Sequence, residues 1–252
     1  MGLFNRTRAG APFMGEARQR TLHKNLDFAA TEQYKLLRAN LEFTVPVGTK
    51  CPVIGVTSSI RGEGKSTTAI NLSYVIAEKG SRVLLIDGDL RIPSVAKKMN
   101  LMQSPGLTDV LMEKNDGFEK YRSDLLDTWY ILPSGNIPPN PSELLGSKRM
   151  ESALEALRES FDYIIIDLPP VNIVSDALSV ANFITGMVVV VRDQYTEKKE
   201  FERCFRQLKL SNVNILGCVM NGTKLGGGAF EKYKRYYRKK DYRAYAEEEN
   251  KD

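Results

Sequence analysis

The chain has 252 residues, of which 42% are hydrophobic and 27% charged, a composition typical of a globular protein and unlike disordered or collagen-like chains. No apolar run approaches the ~18–20 residues that a membrane-spanning helix needs, and the net charge of +5 is too modest to identify a partner. The cysteines, Cys51, Cys204 and Cys218, are too widely spaced for a usual zinc site, so we expect reduced structural thiols. His23 is the single histidine, so a hydrolytic triad would depend on it.

The N-terminal segment 1–26 is rich in arginine, glycine and polar residues without a sustained period, and we expect a flexible arm there. It has no apolar core of the kind found in secretory signals, which favours a cytoplasmic protein. A helix is predicted from about Thr31, capped by that residue, because apolar side chains then recur at helical spacing until Pro46. The main domain is expected over 27–225, followed by a separate mobile tail over 226–252.

From Val53 onward, short β-branched runs alternate with helical stretches. The predicted strands are 53–57, 83–86, 130–132, 163–166, 187–191 and 215–220, and the helices between them include 65–78, 148–159 and 197–208. Continuous apolar strands separated by helices are typical of a mostly parallel sheet with helices on both faces. The predicted fold class is therefore α/β.

The first predicted strand runs into a glycine-bearing loop, 58–67, with the sequence SSIRGEGKST, and a helix follows at once. This arrangement binds nucleotide phosphates, so the fold is predicted to be P-loop NTPase-like, although Ser59 replaces the usual first glycine. The glycines let backbone N–H groups face an anion at the helix N-terminus. Lys65 can reach the β- and γ-phosphates, and the Ser66 hydroxyl can ligate Mg²⁺. The predicted nucleotide-binding residues of this loop are Gly62, Glu63, Gly64, Lys65, Ser66 and Thr67.

Two further predicted strands end in carboxylates: Asp87 and Asp89 follow the second strand, and Asp167 follows the fourth. Because ligands collect at the carboxyl ends of parallel strands, these acids and Lys65 should meet in one cleft. Carboxylate oxygens beside substrate phosphates suit Mg²⁺, although a single strand-terminal aspartate can equally cap a turn. Together the motifs predict a site for a Mg²⁺–nucleoside triphosphate, in which Ser66, Asp89 and Asp167 hold the metal or its waters.

The three motifs resemble those of the bacterial tyrosine kinases that control capsule and exopolysaccharide synthesis. That family's phosphate loop S-x-x-x-G-E-G-K-S-T, its acidic motif hhhDxDxR and its hhhDxPP motif correspond here to 58–67, 86–91 and 166–170. The resemblance implies ATP and Mg²⁺ as cofactors and transfer of the γ-phosphate to tyrosine. It also implies Lys65, Asp87 and Asp89 as catalytic residues. Asp87 is the candidate proton acceptor, and its role and that of Asp89 could be exchanged.

The partition and division ATPases are an alternative within the same fold. They resemble the pattern K-G-G-x-G-K-[ST], with an extra lysine five residues before the loop lysine, and Ile60 occupies that position here. Arg61 is one residue away and does not fill the motif. Without that lysine, a nucleotide-sandwich dimer would lack a cation placed across its interface. A partition-type ATPase switch is therefore the second hypothesis.

The segment 231–245, EKYKRYYRKKDYRAY, combines basic residues with five of the chain's 11 tyrosines and follows three glycines at 226–228. Such a run can be a solvated tail without chemistry, or it can bind single-stranded nucleic acid by stacking and phosphate contacts. A nucleic-acid-binding module is therefore the third hypothesis, although no nucleic-acid partner is expected. In the resembling family, neighbouring subunits phosphorylate a C-terminal tyrosine cluster. The resemblance thus implies phosphoacceptors at Tyr233, Tyr236, Tyr237, Tyr242 and Tyr245.

The predicted N-terminal helix contains EQYKLLRAN at 32–40, which resembles the family's interface motif E-x-x-R-x-x-R-x-N with lysine in place of one arginine. Glu32, Lys35 and Arg38 share a helix face, so local pairing is the alternative to a subunit contact. The resemblance implies a ring-shaped homo-oligomer, a cognate tyrosine phosphatase and protein substrates. It also implies a separate membrane adaptor, of the polysaccharide chain-length regulator type, that recruits the chain to the inner face of the plasma membrane.

Two polar residues follow the last two predicted strands. Arg192 comes after the fifth strand and Asn221 after the sixth. Because both lie at carboxyl ends of strands, either could line the pocket for the adenine base. Ordinary turn roles are the alternative.

Overall fold

A parallel β-sheet forms the centre of the protein. The computed structural model describes residues 26, 28–112 and 121–223. The strands in these residues are β1 Val53–Ser58, β2 Val83–Asp87, β3 Trp129–Leu132, β4 Tyr163–Asp167, β5 Gly186–Arg192 and β6 Ile215–Asn221. They form one sheet in the order β3-β2-β4-β1-β5-β6, and each neighbouring pair is parallel. The carboxyl ends of β1, β2 and β4 therefore lie side by side.

Helices precede and connect the strands. In the described ranges they are α1 Phe28–Thr44, α2 Lys65–Glu78, α3 Val95–Met99, α4 Leu107–Leu111, α5 Pro141–Leu145, α6 Lys148–Arg158, α7 Asp176–Ser179 and α8 Lys198–Leu210. A 3₁₀ turn, Ala181–Phe183, follows α7. None of the helices just given combines the length and the apolar character needed to cross a membrane.

The two faces of the sheet carry two separate hydrophobic cores. Successive side chains of a strand point to opposite faces, so Val83 and Leu85 join one core while Leu84 and Ile86 join the other. Helices α1, α2 and α3 supply the first core, and α4 to α8 supply the second. The prediction of a parallel α/β sheet covered on both faces is confirmed.

Helix α1 starts earlier than the sequence analysis predicted. It begins at Phe28, so Thr31 lies within its first turn and does not cap it. The two alanines at 29 and 30 are strong helix formers and extend the helix toward the N-terminus. Leu41 is buried against α2, and the Arg38 guanidinium donates a 2.6 Å hydrogen bond to the Val75 carbonyl, which ties the two helices together.

The three cysteines are free, with Cys51 and Cys204 buried and Cys218 exposed. Burial raises the pKa of Cys51 and that of Cys204 to about 11. Both thiols therefore stay protonated at neutral pH and are poor nucleophiles. This agrees with the expectation of structural thiols. His23 and most of the expected N-terminal arm lie outside the described residues.

Candidate nucleotide-binding site

The phosphate loop joins the end of β1 to the first turn of α2. Gly62 and Gly64 adopt left-handed backbone conformations, with φ of 83° and 97°, which glycine tolerates and other residues rarely do. Gly64 is the N-cap of α2 and has no side chain to cap the first N–H groups, so these groups can receive an anion. Ser59 is buried beside the Cys204 thiol, so the loop accommodates the Cβ that replaces the usual glycine.

The loop lysine meets two acids, one at the end of β4 and one in the loop that follows the neighbouring strand β2. Lys65 Nζ lies 2.9 Å from Asp89 Oδ2 and 3.2 Å from Asp167 Oδ1. The sheet causes this meeting, since Asp87 at the end of β2 is in register with Asp167 at the end of β4, and β1 is the next strand. The structure therefore brings Lys65, Asp89 and Asp167 together at the loop, as the spacing of the motifs predicted.

Burial and mutual charge perturb the ionisation of this cluster. Burial alone would lower the pKa of Lys65, but the charges of Asp167 and Asp89 outweigh it and raise that pKa. Burial raises the pKa of Asp167, against the opposing effect of the Lys65 charge. Lys65 therefore stays protonated at neutral pH, and the buried carboxyl group of Asp167 beside it is costly to ionise.

Asp87 is the most constrained acid of the site. Its Oδ2 accepts backbone N–H groups of Ser94 at 3.0 Å and Val95 at 2.9 Å, and its Oδ1 accepts the N–H of Asp89 at 3.3 Å. Burial, together with the nearby charge of Asp167, raises the pKa of Asp87 to about 7. Asp87 thus organises the start of α3 and the loop after β2, while Asp89 is the acid that contacts Lys65.

One oxygen of Asp167 indicates where a metal ion would fit. Oδ2 is buried and has no hydrogen-bond partner within the described residues, while Oδ1 faces Lys65. A buried carboxylate oxygen without a donor is costly in a folded protein. Oxygen ligands of this kind, beside the Ser66 hydroxyl that also contacts Asp167, suit Mg²⁺ or one of its waters. The donor set therefore fits the metal ion that the sequence predicted.

Arg192 and Asn221 contact the phosphate loop itself. The Arg192 guanidinium donates a 3.1 Å hydrogen bond to the Gly62 carbonyl, and Asn221 Nδ2 donates a 2.9 Å hydrogen bond to the Glu63 carbonyl. Strands β1, β5 and β6 are parallel neighbours, so β5 and β6 end at the same edge of the sheet as the phosphate loop. Both side chains can therefore reach the loop backbone. A role in the base pocket stays a prediction, whereas their support of the loop is observed.

The side chain of Glu63 points into the protein and stabilises the loop through hydrogen bonds. Its carboxylate accepts the Ile60 N–H at 2.7 Å and the hydroxyl of Thr196, and the residue is fully buried. Nearby, the Tyr195 hydroxyl donates a 3.1 Å hydrogen bond to the Arg61 carbonyl. Sequence reasoning missed Tyr195 and Thr196, whose only signal is their position just after a strand that ends near the loop.

Of the other predicted site residues, some lie in the described part of the chain and some lie outside it. Thr67 Oγ1 accepts a 3.3 Å hydrogen bond from Lys98 of α3. On α1, Lys35 Nζ pairs with Glu32 at 2.9 Å, which is the local i,i+3 pairing left open as an alternative, and Arg38 is bonded within the chain. A subunit contact through these three residues stays a prediction. Five predicted phosphoacceptors lie outside the described residues: Tyr233, Tyr236, Tyr237, Tyr242 and Tyr245.

Comparison with known proteins agrees with this geometry. A family model described as an AAA domain matches residues 51–212. The chain is 40% identical over 195 residues to the tyrosine-protein kinase YwqD of Bacillus subtilis (strain 168), covering 77% of this chain and 82% of that protein. It is 35% identical over 201 residues to the tyrosine-protein kinase CpsD of Streptococcus pneumoniae serotype 4, covering 79% and 87%. The solved kinase domain of the Escherichia coli tyrosine kinase ETK matches with a TM-score of 0.69 and 29% identity, covering 79% of each chain.

The similarity extends over most of the chain and most of each relative. It includes the whole region from β1 to α8, which carries the phosphate loop and the strand-end acids. The family resemblance seen in the three motifs is thereby confirmed. This chain belongs to the bacterial tyrosine-protein kinases and is a protein-tyrosine kinase with a P-loop fold.

Proposed function

We propose that this kinase transfers the γ-phosphate of MgATP to the tyrosines of its own C-terminal cluster, one subunit acting on another, and thereby regulates capsule or exopolysaccharide synthesis. The observation that carries the proposal is the meeting of Lys65, Asp89 and Asp167 at the phosphate loop. A cation and two acids beside a helix N-terminus are suited to a metal-bound triphosphate. The proposal assigns the nucleotide to this loop.

Each residue of the cluster has a distinct role in the proposal. The loop N–H groups and the Lys65 ammonium hold the phosphates and stabilise the charge that develops during transfer. Ser66, Asp89 and Asp167 hold Mg²⁺ or its waters, and the bound ion neutralises phosphate charge. Arg192 and Asn221 keep the loop in shape through their bonds to its carbonyls. Base contacts by these two residues are part of the proposal.

The acceptor phenol has an ordinary pKa of about 10, so a nearby carboxylate must take its proton as the transfer proceeds. Asp87, whose pKa burial raises to about 7, has a suitable affinity for that proton. Its oxygens already accept N–H groups, so one of these bonds must open during the reaction. Asp89 is the alternative acceptor. Activity measured against pH for Asp87→Asn and Asp89→Asn distinguishes them, because only loss of the true acceptor removes the acidic limb.

The length of the tail permits transfer between subunits. Asn221 ends β6, and Tyr233 follows it by 12 positions. An extended segment of that length spans up to about 40 Å, which reaches beyond a single active site. This reach supports delivery of the tyrosines to a second copy in a ring, with the α1 residues Glu32, Lys35 and Arg38 at its interfaces.

Mixing two variants tests transfer between subunits. A Lys65→Met chain keeps its tyrosines but lacks the loop lysine, while a chain with the five cluster tyrosines changed to phenylalanine keeps the site. We expect phosphotyrosine on the Lys65→Met chain only in the mixture with ATP and Mg²⁺. Lys79→Met, which removes a surface lysine paired with Glu42, serves as the control and should label itself normally. Labelling of Lys65→Met alone, or labelling of the unmodified chain but never of the mixture, contradicts the proposal.

The adaptor is tested in the same assay. Fusing the chain to the cytosolic segment of a polysaccharide chain-length regulator should increase tail labelling, since the proposal makes that adaptor the activator at the membrane. ATP hydrolysis without phosphotyrosine, even in the fusion, would favour a switch ATPase instead. A salt-dependent shift of single-stranded DNA would favour the nucleic-acid hypothesis. Addition of the cognate tyrosine phosphatase should reverse the labelling of the tail and of any protein substrate.

A further inference from the structure

We propose that the ion pair between Arg91 and Asp176 fixes the relative position of the two acids that hold Mg²⁺, so that Asp176 is a positioning residue for metal binding. The inference rests on the proposed function, because it assumes that Asp89 and Asp167 face the metal. Neither Arg91 nor Asp176 has a contact to Lys65 among those described above. Their effect must therefore be transmitted through the loops that carry the acids.

The geometry of the pair is bidentate. Arg91 Nε lies 2.9 Å from Asp176 Oδ2, and Arg91 Nη2 lies 3.1 Å from Asp176 Oδ1. The Ser142 hydroxyl of α5 also donates to Asp176 Oδ1 and lies 3.3 Å from Arg91 Nη2. Two parallel charge-assisted hydrogen bonds fix the orientation of both partners as well as their distance. Asp176 is fully buried, so these donors replace the water that an exposed carboxylate would contact.

The pair connects the two loops that supply the metal acids. Asp89 and Arg91 belong to the loop after β2, and Asp176 opens α7 at the end of the loop that follows Asp167 and β4. At their base the two loops are already joined, because the Gly88 N–H donates a 2.9 Å hydrogen bond to the Asp167 carbonyl. The Arg91–Asp176 pair joins them a second time, farther from the sheet.

Asp89 lies between these two connections. Its Oδ1 accepts the Ile92 N–H at 3.0 Å, and its Oδ2 contacts Lys65 at 2.9 Å. The base of the loop is tightly packed, since a Cβ on Gly88 would lie 2.8 Å from the Ile166 side chain. The outer part is less enclosed, and the Arg91 side chain is 40% exposed. Loss of the ion pair should therefore release mainly the part of the loop that orients Asp89.

Asp176→Asn is the most informative substitution. The amide keeps the size of the carboxylate and can still accept from Ser142, but it loses the charge and the second acceptor for Arg91. Removing Arg91 instead would leave a buried carboxylate without its cation and could unfold the chain. Arg91→Lys keeps the charge but cannot form the fork, so it serves as a second variant. Glu42→Gln, which breaks the exposed pair with Lys79, is the control.

Equilibrium binding of fluorescent ADP to the full chain, with and without Mg²⁺, tests the inference. In EDTA, Asp176→Asn should bind ADP within about twofold of the unmodified chain, because the loop N–H groups and Lys65 are unchanged. The Mg²⁺ concentration that produces half of the metal-dependent increase in ADP affinity should rise at least about tenfold. A change of this size is expected when a group that supports metal ligands is lost. Arg91→Lys should shift it in the same direction by less, and Glu42→Gln should not shift it.

An unchanged Mg²⁺ requirement in both Asp176→Asn and Arg91→Lys would overturn the inference. So would an equal loss of ADP affinity in EDTA and in Mg²⁺, because that result indicates general damage to the fold. If the unmodified chain binds ADP with no response to Mg²⁺, the proposed metal site itself is refuted, and this inference with it. A normal Mg²⁺ response in the unmodified chain but not in Asp176→Asn supports both the proposed metal site and the positioning role of Asp176.

Discussion

Replacing Gly64 with alanine should destabilise the domain and weaken nucleotide binding. A Cβ at this position would lie 2.0 Å from Asn221 Nδ2, so Asn221 must move and give up its 2.9 Å hydrogen bond to the Glu63 carbonyl. The backbone φ of 97° adds a penalty of about 1–2 kcal/mol for any residue with a Cβ. The lost hydrogen bond adds about 1 kcal/mol. The free energy of unfolding should fall by about 2–3 kcal/mol, which lowers the Tm by roughly 4–12 °C.

Gly80 provides a matched control for this substitution. It has a similar φ of 102°, but an added Cβ would meet nothing within 4 Å. Gly80→Ala should therefore show the backbone penalty alone, with unchanged nucleotide affinity. The difference in the free energy of unfolding between Gly64→Ala and Gly80→Ala measures the cost of the contact with Asn221. We expect this difference to be about 1 kcal/mol.

Thermal and urea unfolding of the two variants, with ADP titrations, check these values. Asn221→Ala removes the obstructing side chain, so the cost of Gly64→Ala in that background should shrink toward the cost of Gly80→Ala. The reasoning is refuted if Gly64→Ala is no more destabilising than Gly80→Ala. It is also refuted if the costs of Gly64→Ala and Asn221→Ala simply add.

Three further predictions concern buried polar groups. Burial raises the pKa of Asp87 to about 7, so the folded chain holds a proton that the unfolded chain releases. The free energy of unfolding should then fall between about pH 4 and pH 7 and level off above, and Asp87→Asn should lose this component in urea unfolding across pH. The Trp129 indole donates a 3.1 Å hydrogen bond to Ser73. Ser73→Ala should therefore lower the free energy of unfolding by about 1–3 kcal/mol, as measured by tryptophan fluorescence during urea unfolding. Thr196→Val leaves Glu63 with one donor fewer, and calorimetry should show weaker ADP binding.

Much of the fold was predictable because the strands are unambiguous in the sequence. Continuous apolar runs are typical of strands buried on both faces, and each predicted strand is found, with its end shifted by one residue in most cases. Helix α2 has the predicted bounds, 65–78. The start of α1 was wrong by three residues, because a threonine resembles a cap whether or not the helix has already begun. Local propensity predicts helix ends less well than helix existence.

The acids of the site were predictable for a different reason. A parallel sheet collects the carboxyl ends of its strands at one edge, so Asp89 and Asp167 had to lie near the phosphate loop. Sequence spacing does not say which oxygen faces which partner. The structure assigns Asp89 to Lys65 and assigns Asp87 to backbone N–H groups. That division depends on how the loop after β2 folds back on itself.

The amino-acid sequence by itself determined the fold class, the phosphate loop and the family, because each depends on local periodicity or on residues close together in the chain. Only the tertiary structure decided the supporting contacts: Arg192 and Asn221 on the loop carbonyls, and Arg91 on Asp176. These partners are separated by 85 to 158 positions. Side chains so far apart meet only through the order of the strands and the packing of the loops between them, which no local pattern encodes.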